Sequence, residues 1–329
     1  MTTTLHRLAS LAPLALLACD TQPAQPSVGL QGPSFMTSAW SEWSEPVHLD
    51  APVNTPCQDQ TPTLSKDELA LYFTSNRRGG LGNDTPDGCQ DSFDIWVARR
   101  ASRDANWETP VDLGSPVNTP NNDVSPELSP DGDLLFFARF VGTGRRDIYV
   151  ARRAGNEDGG EWNTPVGMGP DVNTETDEDG PTFIRHEGDG DGTLFFYRGS
   201  PPVTTDLYSV RVTKDGETLG PAVVMPGLNS IVEDNHAGVR RDGREIFFNS
   251  RRPGSVGGQN FDLWVATREN VHDAWSAPVN VGAPVNSPFA EFHPSISFDG
   301  RTLVFISGAA RGGFGGFDIW MTTRTQLDD

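Results

Sequence analysis

Short, largely apolar runs, each seven residues long, punctuate this chain at a nearly constant interval. They read LALYFTS, DLLFFAR, TLFFYRG, EIFFNSR and TLVFISG, and each is followed by a second run of the type FDIWVARR, RDIYVARR, TDLYSVRV, FDLWVATR or FDIWMTTR. Phe, Ile, Val, Trp and Tyr dominate these runs, so they are strands. Their apolar residues are contiguous rather than alternating, as expected of strands covered on both faces. Polar turn signals of the Ser-x-Asp-Gly kind stand before the first run of each pair and predict a tight hairpin.

Aligned on an Asn-Thr or Asn-Ser pair, the repeats start at Asn54, Asn118, Asn173, Asn229 and Asn286, with spacings of 64, 55, 56 and 57 residues. Five residues after each Asn stands an acid: Asp59, Asp123, Glu178, Asp234 and Glu291. Pro62, Pro126, Pro181, Ala237 and Pro294 follow three further on. The unit closes on a Trp-x-x-Pro-Val type segment. Each unit thus holds four short strands, and four strands repeated at this period predict a β-propeller. The first three strands occur five times. The fourth follows only the first four units, and a fifth copy, WSEPVHL (Trp43 to Leu49), stands alone before the first unit. The orphan strand is expected to pair into the last blade and close the ring, which removes two exposed edges. The fold predicted is all-β, a five-bladed propeller of four antiparallel strands per blade over residues 40–329.

SPELSPDGDLLFFAR followed by RDIYVAR resembles the TolB-type, WD-like propeller repeat of bacterial envelope proteins, and the resemblance runs from Trp40 to Arg324. It implies the fold and an envelope setting. It leaves function open, because one fold hosts many activities.

Charge narrows the partners. The formal net charge is −20, and the Lys and Arg residues are scattered rather than blocked. A phosphate backbone would be repelled, so nucleic acid is not an expected partner. The N-terminus, MTTTLHRLASLAPLALLAC, carries an apolar stretch too short to span a membrane and broken by Pro13. Its end, Leu16-Leu17-Ala18-Cys19, resembles the bacterial lipobox, which implies a signal peptide over 1–18, lipid attachment at Cys19 and anchoring in the bacterial cell envelope, on its periplasmic or outer-surface face. An ordinary secretory signal with an incidental Cys is the other reading. Residues 19–39, rich in Pro, Gln, Ser and Gly, read as a flexible tether.

Loops between the second and third strands are long and varied. They share a rim with the loops bearing the five acids, and variable loops on a rigid scaffold carry function. The acids are expected around the channel mouth. There they either bind a cation or form a catalytic carboxylate pair, or each accepts N–H bonds within its own loop. The recurrence in every blade favours the loop-holding role. Just before the Pro position stand Thr61, Ser125, Gly180, His236 and His293. The two His, beside Asp234 and Glu291, are candidates for metal binding or acid/base work. Asp177, Glu178 and Asp179, with Glu175, crowd blade three and are the candidate cation ligands; the Glu187–Gly192 stretch resembles the start of a calcium loop, so calcium is the one cofactor considered. Arg77, Arg78, Arg251, Arg252 and Arg311 lie beside the acids, to pair with them or to grip a ligand. Asp94, Asp147, Asp206, Asp262 and Asp318 open the third strands and read as turn-holders. Cys57 and Cys89 fall on loops of one rim in one blade, which predicts a disulfide in an exported protein. GGFGG (residues 312–316) lacks a following helix and reads as a flexible loop.

These features predict a monomeric binding or scaffold module for an envelope protein or polysaccharide, with the rim acids, His236, His293, Arg77, Arg251 and Arg311 at its ligand face. The alternative is a glycan-active enzyme resembling five-bladed glycoside hydrolases, with Asp234, Glu291, His236 and His293 as its catalytic set. That alternative needs two carboxylates flanking a sugar-sized pocket.

Overall fold

The computed structural model describes residues 40–327 apart from 143, 155–159, 189, 200–203 and 259. The signal segment, Cys19 and the tether lie outside the described residues. Five four-stranded antiparallel sheets stand in a ring. The innermost strands are Asp59–Leu64, Asp123–Leu128, Glu178–Arg185, Asp234–Val239 and Glu291–Ile296. The second are Ala70–Arg77, Leu134–Val141, Gly192–Arg198, Glu245–Ser250 and Thr302–Gly308; the third are Cys89–Arg99, Arg145–Arg152, Asp206–Val212, Asp262–Thr267 and Phe317–Thr323.

Closure occurs as the repeat count predicts. Val47–His48 pairs antiparallel with Met321 and Trp320 and becomes the outer strand of the fifth blade. The outer strands are shorter than expected, two residues each: Val47–His48, Val111–Asp112, Val166–Gly167, Val223–Val224 and Val279–Asn280. In four of them a Pro immediately precedes the first residue (Pro46, Pro110, Pro165, Pro278). Proline has no N–H to offer the ladder, so pairing begins only after it and the edges stay short.

The core lies between blades. Phe73, Phe136, Phe137, Phe196, Phe247, Phe248 and Phe305, all on second strands, are fully buried. Phe136 and Ile148 of blade two, for example, pack with Phe183, Leu194 and Phe196 of blade three. Leu71, Phe73 and Trp96 pack with Ile306 and Ile319 across the closure. The Trp of the closing segment has its own role. Arg100, Arg153, Arg268 and Arg324 stack on Trp107, Trp162, Trp275 and Trp43 at 4.1–4.5 Å from the ring centre.

The repeated Asn works as an extra peptide group. Each Asn amide bridges both main-chain groups of a third-strand residue in the blade before it: Asn118 with Ile95, Asn173 with Ile148, Asn229 with Leu207, Asn286 with Leu263 and, across the closure, Asn54 with Ile319, all at 2.8–3.0 Å. Each carbonyl also accepts an N–H from the residue after the outer strand, as Ile95 does from Leu113, but the N–H has no other partner among the described residues and would otherwise be orphaned. The disulfide Cys57–Cys89 is formed and ties the long loop of blade one to the loop that enters that blade. Closing 32 residues of chain is worth on the order of 3–4 kcal/mol by loop entropy.

Candidate functional site

The five repeated acids are completely buried. Each holds the loop that precedes it. Thr55 and Thr119 donate both N–H and hydroxyl to Asp59 and Asp123 at 2.7–2.9 Å, and Thr174, Ser230 and Ser287 donate their N–H groups to Glu178, Asp234 and Glu291. Each acid also faces an Arg from its own second strand or the loop after it: Asp59–Arg77 at 2.5 Å, Asp123–Arg139 at 2.6 Å, Glu178–Arg198 at 2.9 Å, Asp234–Arg252 at 2.5 Å and Glu291–Arg311 at 2.9 Å. The guanidinium then reaches back to a loop carbonyl, as Arg139 does to Val117 and Arg311 to Val285 and Pro284. Its face lies on an aromatic ring, Arg77 on Phe73, Arg198 on Tyr208 and Arg311 on Trp320 at 4.5–5.0 Å. Burial pushes Asp123, Glu178 and Glu291 upward, Glu291 to about 7, against the pull of these donors.

These clasps change the picture drawn from the sequence. The carboxylates do not line open space, because their oxygens are spent on the loop and on Arg. Arg77 and Arg311 are clasp members. In blade four the clasp takes Arg252, while Arg251 lies over Phe261 at 4.2 Å instead. Asp234, Glu291, His236 and His293 do not form one constellation: the acids turn to their own Arg, and the His rings turn to each other.

The channel is narrow where the blades meet. Thr61, Ser125, Gly180, His236 and His293 all have positive φ, between 45° and 62°, and each sits where the inner ladder skips register. A bulge of this kind pushes one residue out of the pairing and into the axis. The five residues ring a space of only about 30 Å3, which is room for little more than a water molecule. The His236 and His293 rings lie 3.6 Å apart, and Tyr197 lies 4.8 Å from His236. Above them Arg146 bridges Asp177 and Asp179, 2.9 Å from each, and the Tyr197 hydroxyl donates to Asp179 at 3.0 Å. Two acids of blade three thus share the Arg146 guanidinium, Glu178 is held by Arg198, and Glu175 stands 3.6 Å from Arg145. No group of three His, Cys, Asp or Glu among the described residues is placed to hold a metal ion. The calcium-loop resemblance at residues 187–192 lies partly outside the described residues.

Burial and the Arg146 charge push the His236 pKa well below 6.5; burial, His236 and Arg146 do the same for His293. The unfolded chain then binds protons that the native state refuses. Stability from this pair is complete above about pH 6.5 and is lost as pH falls below it, by up to about 1.4 kcal/mol per pH unit for each proton. Glu127, which burial pushes up to about 7, acts in the opposite sense. Glu291, also pushed up to about 7, does the same, so the comparison is between proteins: from about pH 7.5 to 5, His236→Phe should lose less stability, or gain more, than the wild type. Parallel melting curves for the two would show that the stacked imidazoles do not titrate as a buried pair.

A groove on this face has room for a ligand. It measures about 860 Å3 and lies between blade five and blade one, lined by Pro52, Pro56, Trp96, Pro110, Arg78 and Phe314. Phe314, 52% exposed, comes from GGFGG. That segment is not the slack loop its composition suggests. Asp318 accepts the N–H groups of Phe314 and Gly315. A Cβ on Gly315 would lie 1.7 Å from the Cys57 carbonyl oxygen, and one on Gly313 would lie 1.7 Å from the Asp318 carboxylate. Glycine is required here for close approach: it seats the segment against the disulfide-tied loop, and the Phe314 ring packs edge-on with His48 at 4.8 Å. Asp94, Asp262 and Asp318 are loop-holders of this kind: Asp94 accepts from Leu81 N–H and Asp262 from Val256 N–H. The groove was invisible in the sequence because its two walls, Ala51 to Pro110 and Gly313 with Phe314, come from opposite ends of the repeat array and are brought together by the ring closure. An aromatic flanked by close-packed glycines was the available signal.

No protein-family model matches the chain, and no curated protein matches it. Among solved structures it is similar to a thermostable family-43 glycoside hydrolase, at 15% identity over 85% of this chain and 93% of that one, with a TM-score of 0.57. It is also similar to the catalytic domain of the Coprinopsis cinerea GH62 alpha-L-arabinofuranosidase, at 9% identity over 88% and 98%, TM-score 0.56. A putative TolB from Agrobacterium tumefaciens gives 20% identity over 77% and 71%, TM-score 0.46. At these identities the likeness is one of fold.

Proposed function

We propose that this chain is a binding module of the bacterial cell envelope, lipid-anchored through Cys19, that holds a protein or polysaccharide ligand on the face bearing the blade-one and blade-five groove. The observation that carries the reading is how the rim carboxylates are used. All five are enclosed in clasps, and the axis is filled by the His pair and the Arg146 bridge. Neither arrangement offers two free carboxylates to a sugar. The groove, in contrast, has the volume of a ligand site and a rigidly presented aromatic anchor. Pinning that anchor in advance lowers the ordering cost of binding. The TolB-type character of the repeats and the lipobox support the envelope setting.

The test is a photo-cross-linking phenylalanine analogue placed at position 314 in living cells, with the same analogue at Val271 as control. Val271 is exposed but lies in a loop of the opposite face. A discrete adduct at 314 and none at 271 is expected. Phe314→Ala should then weaken capture of the cross-linked species by about tenfold or more, with melting unchanged within about 1 °C, since surface changes of this kind cost little stability. No adduct at 314 would sink the reading. Release of reducing sugar from an envelope glycan, lost with Phe314→Ala, would replace it by the glycan-active alternative.

A further inference from the structure

The opposite mouth of the channel has its own chemistry. It is formed by the turns between first and second strands, and it opens into a bowl of about 50 Å3. Leu64, Leu128, Ile184, Val239 and Ile296, one from each blade, form the apolar wall. Two cations stand at its lip, Lys66 and Arg241, both exposed. Both lie over the same ring, that of Phe298, at 4.8 and 4.3 Å.

In a chain of net charge −20 this is an unusual place. Every described turn here carries an acid, yet none of those acids lines the bowl. Asp67, Asp131 and Asp299 accept from Ser65, Ser129 and Ser297 of their own turns, at 2.6–2.8 Å, and Asp242 is taken by Arg240 at 2.8 Å. The one acid in the lining is Glu127, at the floor, and its oxygens accept from the Thr63 hydroxyl and the Phe183 N–H at 2.8 and 3.1 Å. Burial pushes Glu127 up to about 7, so near neutrality much of it carries no charge to repel an anion. Neither Lys66 nor Arg241 forms an ion pair with an acid among the described residues, whereas most other Arg residues do. Two like charges held around one ring repel each other, and an anion placed between them relieves that repulsion.

We infer that this bowl binds the C-terminal end of a polypeptide, its carboxylate between Lys66 and Arg241 and its last aliphatic side chain against the Leu64–Leu128–Ile296 wall. Charge complementarity selects the carboxylate. The apolar wall selects the aliphatic neighbour. The volume admits one side chain and is too small for a sugar ring or a long acyl chain, which need several hundred Å3. The site lies on the face away from Phe314 and does not depend on what the groove binds.

N-acetyl-leucine is the minimal probe, titrated into the purified protein by calorimetry or by amide chemical shifts, beside N-acetyl-leucinamide and acetate. The free acid should bind at millimolar concentration, with shifts at Val239 and Ile296. The amide should bind at least tenfold more weakly, because it lacks the charge, and acetate likewise, because it lacks the side chain. Lys66→Ala/Arg241→Ala should lose the acid's advantage over the amide. Both positions are exposed, so folding should survive, which melting checks. A hexapeptide ending in free Leu should bind at least as tightly as N-acetyl-leucine; if only the small acid binds, the site takes free organic acids and the polypeptide assignment falls. Equal binding of acid and amide, no binding up to about 20 mM, or an acid preference that survives the double substitution would each overturn the inference.

Discussion

Asp123→Asn should destabilise the protein by about 3–5 kcal/mol, the usual loss when one partner of a buried ion pair is removed. For a domain of this size that is a drop of roughly 6–20 °C in melting temperature. The reason lies in what remains. Arg139 is largely buried, its side chain 13% exposed, and without the carboxylate it keeps only the Val117 carbonyl and the aromatic faces of Phe137 and Tyr149. The Thr119 N–H and hydroxyl also lose a charged acceptor. Asn can return one oxygen but no charge, and its NH2 group meets donors. Asp123→Leu combined with Arg139→Met should recover the part of the loss due to the unpaired guanidinium, because an apolar pair has no charge to desolvate, but not the part due to the Thr119 donors, which still lack an acceptor. Denaturant unfolding of the two variants makes the measurement. An Asp123→Asn protein that melts within about 2 °C of wild type would mean that the carboxylate contributes little to the fold. That result would reopen the view of the rim acids as functional groups kept at the expense of stability.

The same clasp shows what a sequence can carry. A blade repeats because its physical problem repeats: a loop must enter an inner strand, and its N–H groups must be met. Asp59, Asp123, Glu178, Asp234 and Glu291 recur with the Thr or Ser they bind, so the loop-holding role was readable from spacing. The Arg was less so. It stands at slightly different distances along the second strand and its following loop, as Arg139, Arg198 and Arg252 show, and in blade four two consecutive Arg compete for the role. Arg251 looked equivalent, and only geometry puts Arg252 against Asp234. Arg146 was unreadable because it breaks the repeat: it comes from one blade's third strand and crosses to the acids of the next. The outer strands were overestimated because their apolar pattern is real while the Pro before them forbids the first pairing. Phe314 was misplaced in kind. Glycine signals either slack or close approach, and only the neighbouring Cys57 carbonyl decides between them.

Asn54 is where repetition and closure meet, and Asn54→Ala should cost about 2–4 kcal/mol. The side chain is completely buried. It accepts from the Ile319 N–H at 2.8 Å and donates to the Ile319 carbonyl at 2.9 Å. The carbonyl has a second donor, Leu49 N–H at 3.1 Å, but the N–H has no other hydrogen bond among the described residues. Alanine therefore leaves one buried donor orphaned, at about 1–3 kcal/mol, and a small cavity besides. Asn118→Ala removes the same pair of bonds from Ile95 and should cost a similar amount. The two variants should differ in where the loss appears. Blades one and two are joined by continuous chain, so Asn118→Ala lowers global stability. Blade five alone has no covalent link between its third and outer strands, which are joined by two residues of pairing, the flanking Ser41, Ser44 and Leu49 N–H bonds and Asn54, beside the packing between blades. Asn54→Ala should open that seam locally, so amide exchange at Val47, Leu49 and Met321 should accelerate well beyond what the global loss accounts for. Equal acceleration at the seam in both variants would mean that Val47–His48 and the packing of Trp43 on Phe247 hold the closure without the amide. Selective acceleration in Asn54→Ala would make one side chain the lock of the ring. Because Asn54 also lines the groove, the same variant should loosen Phe314 relative to Pro52 and Pro56 and weaken whatever the groove holds.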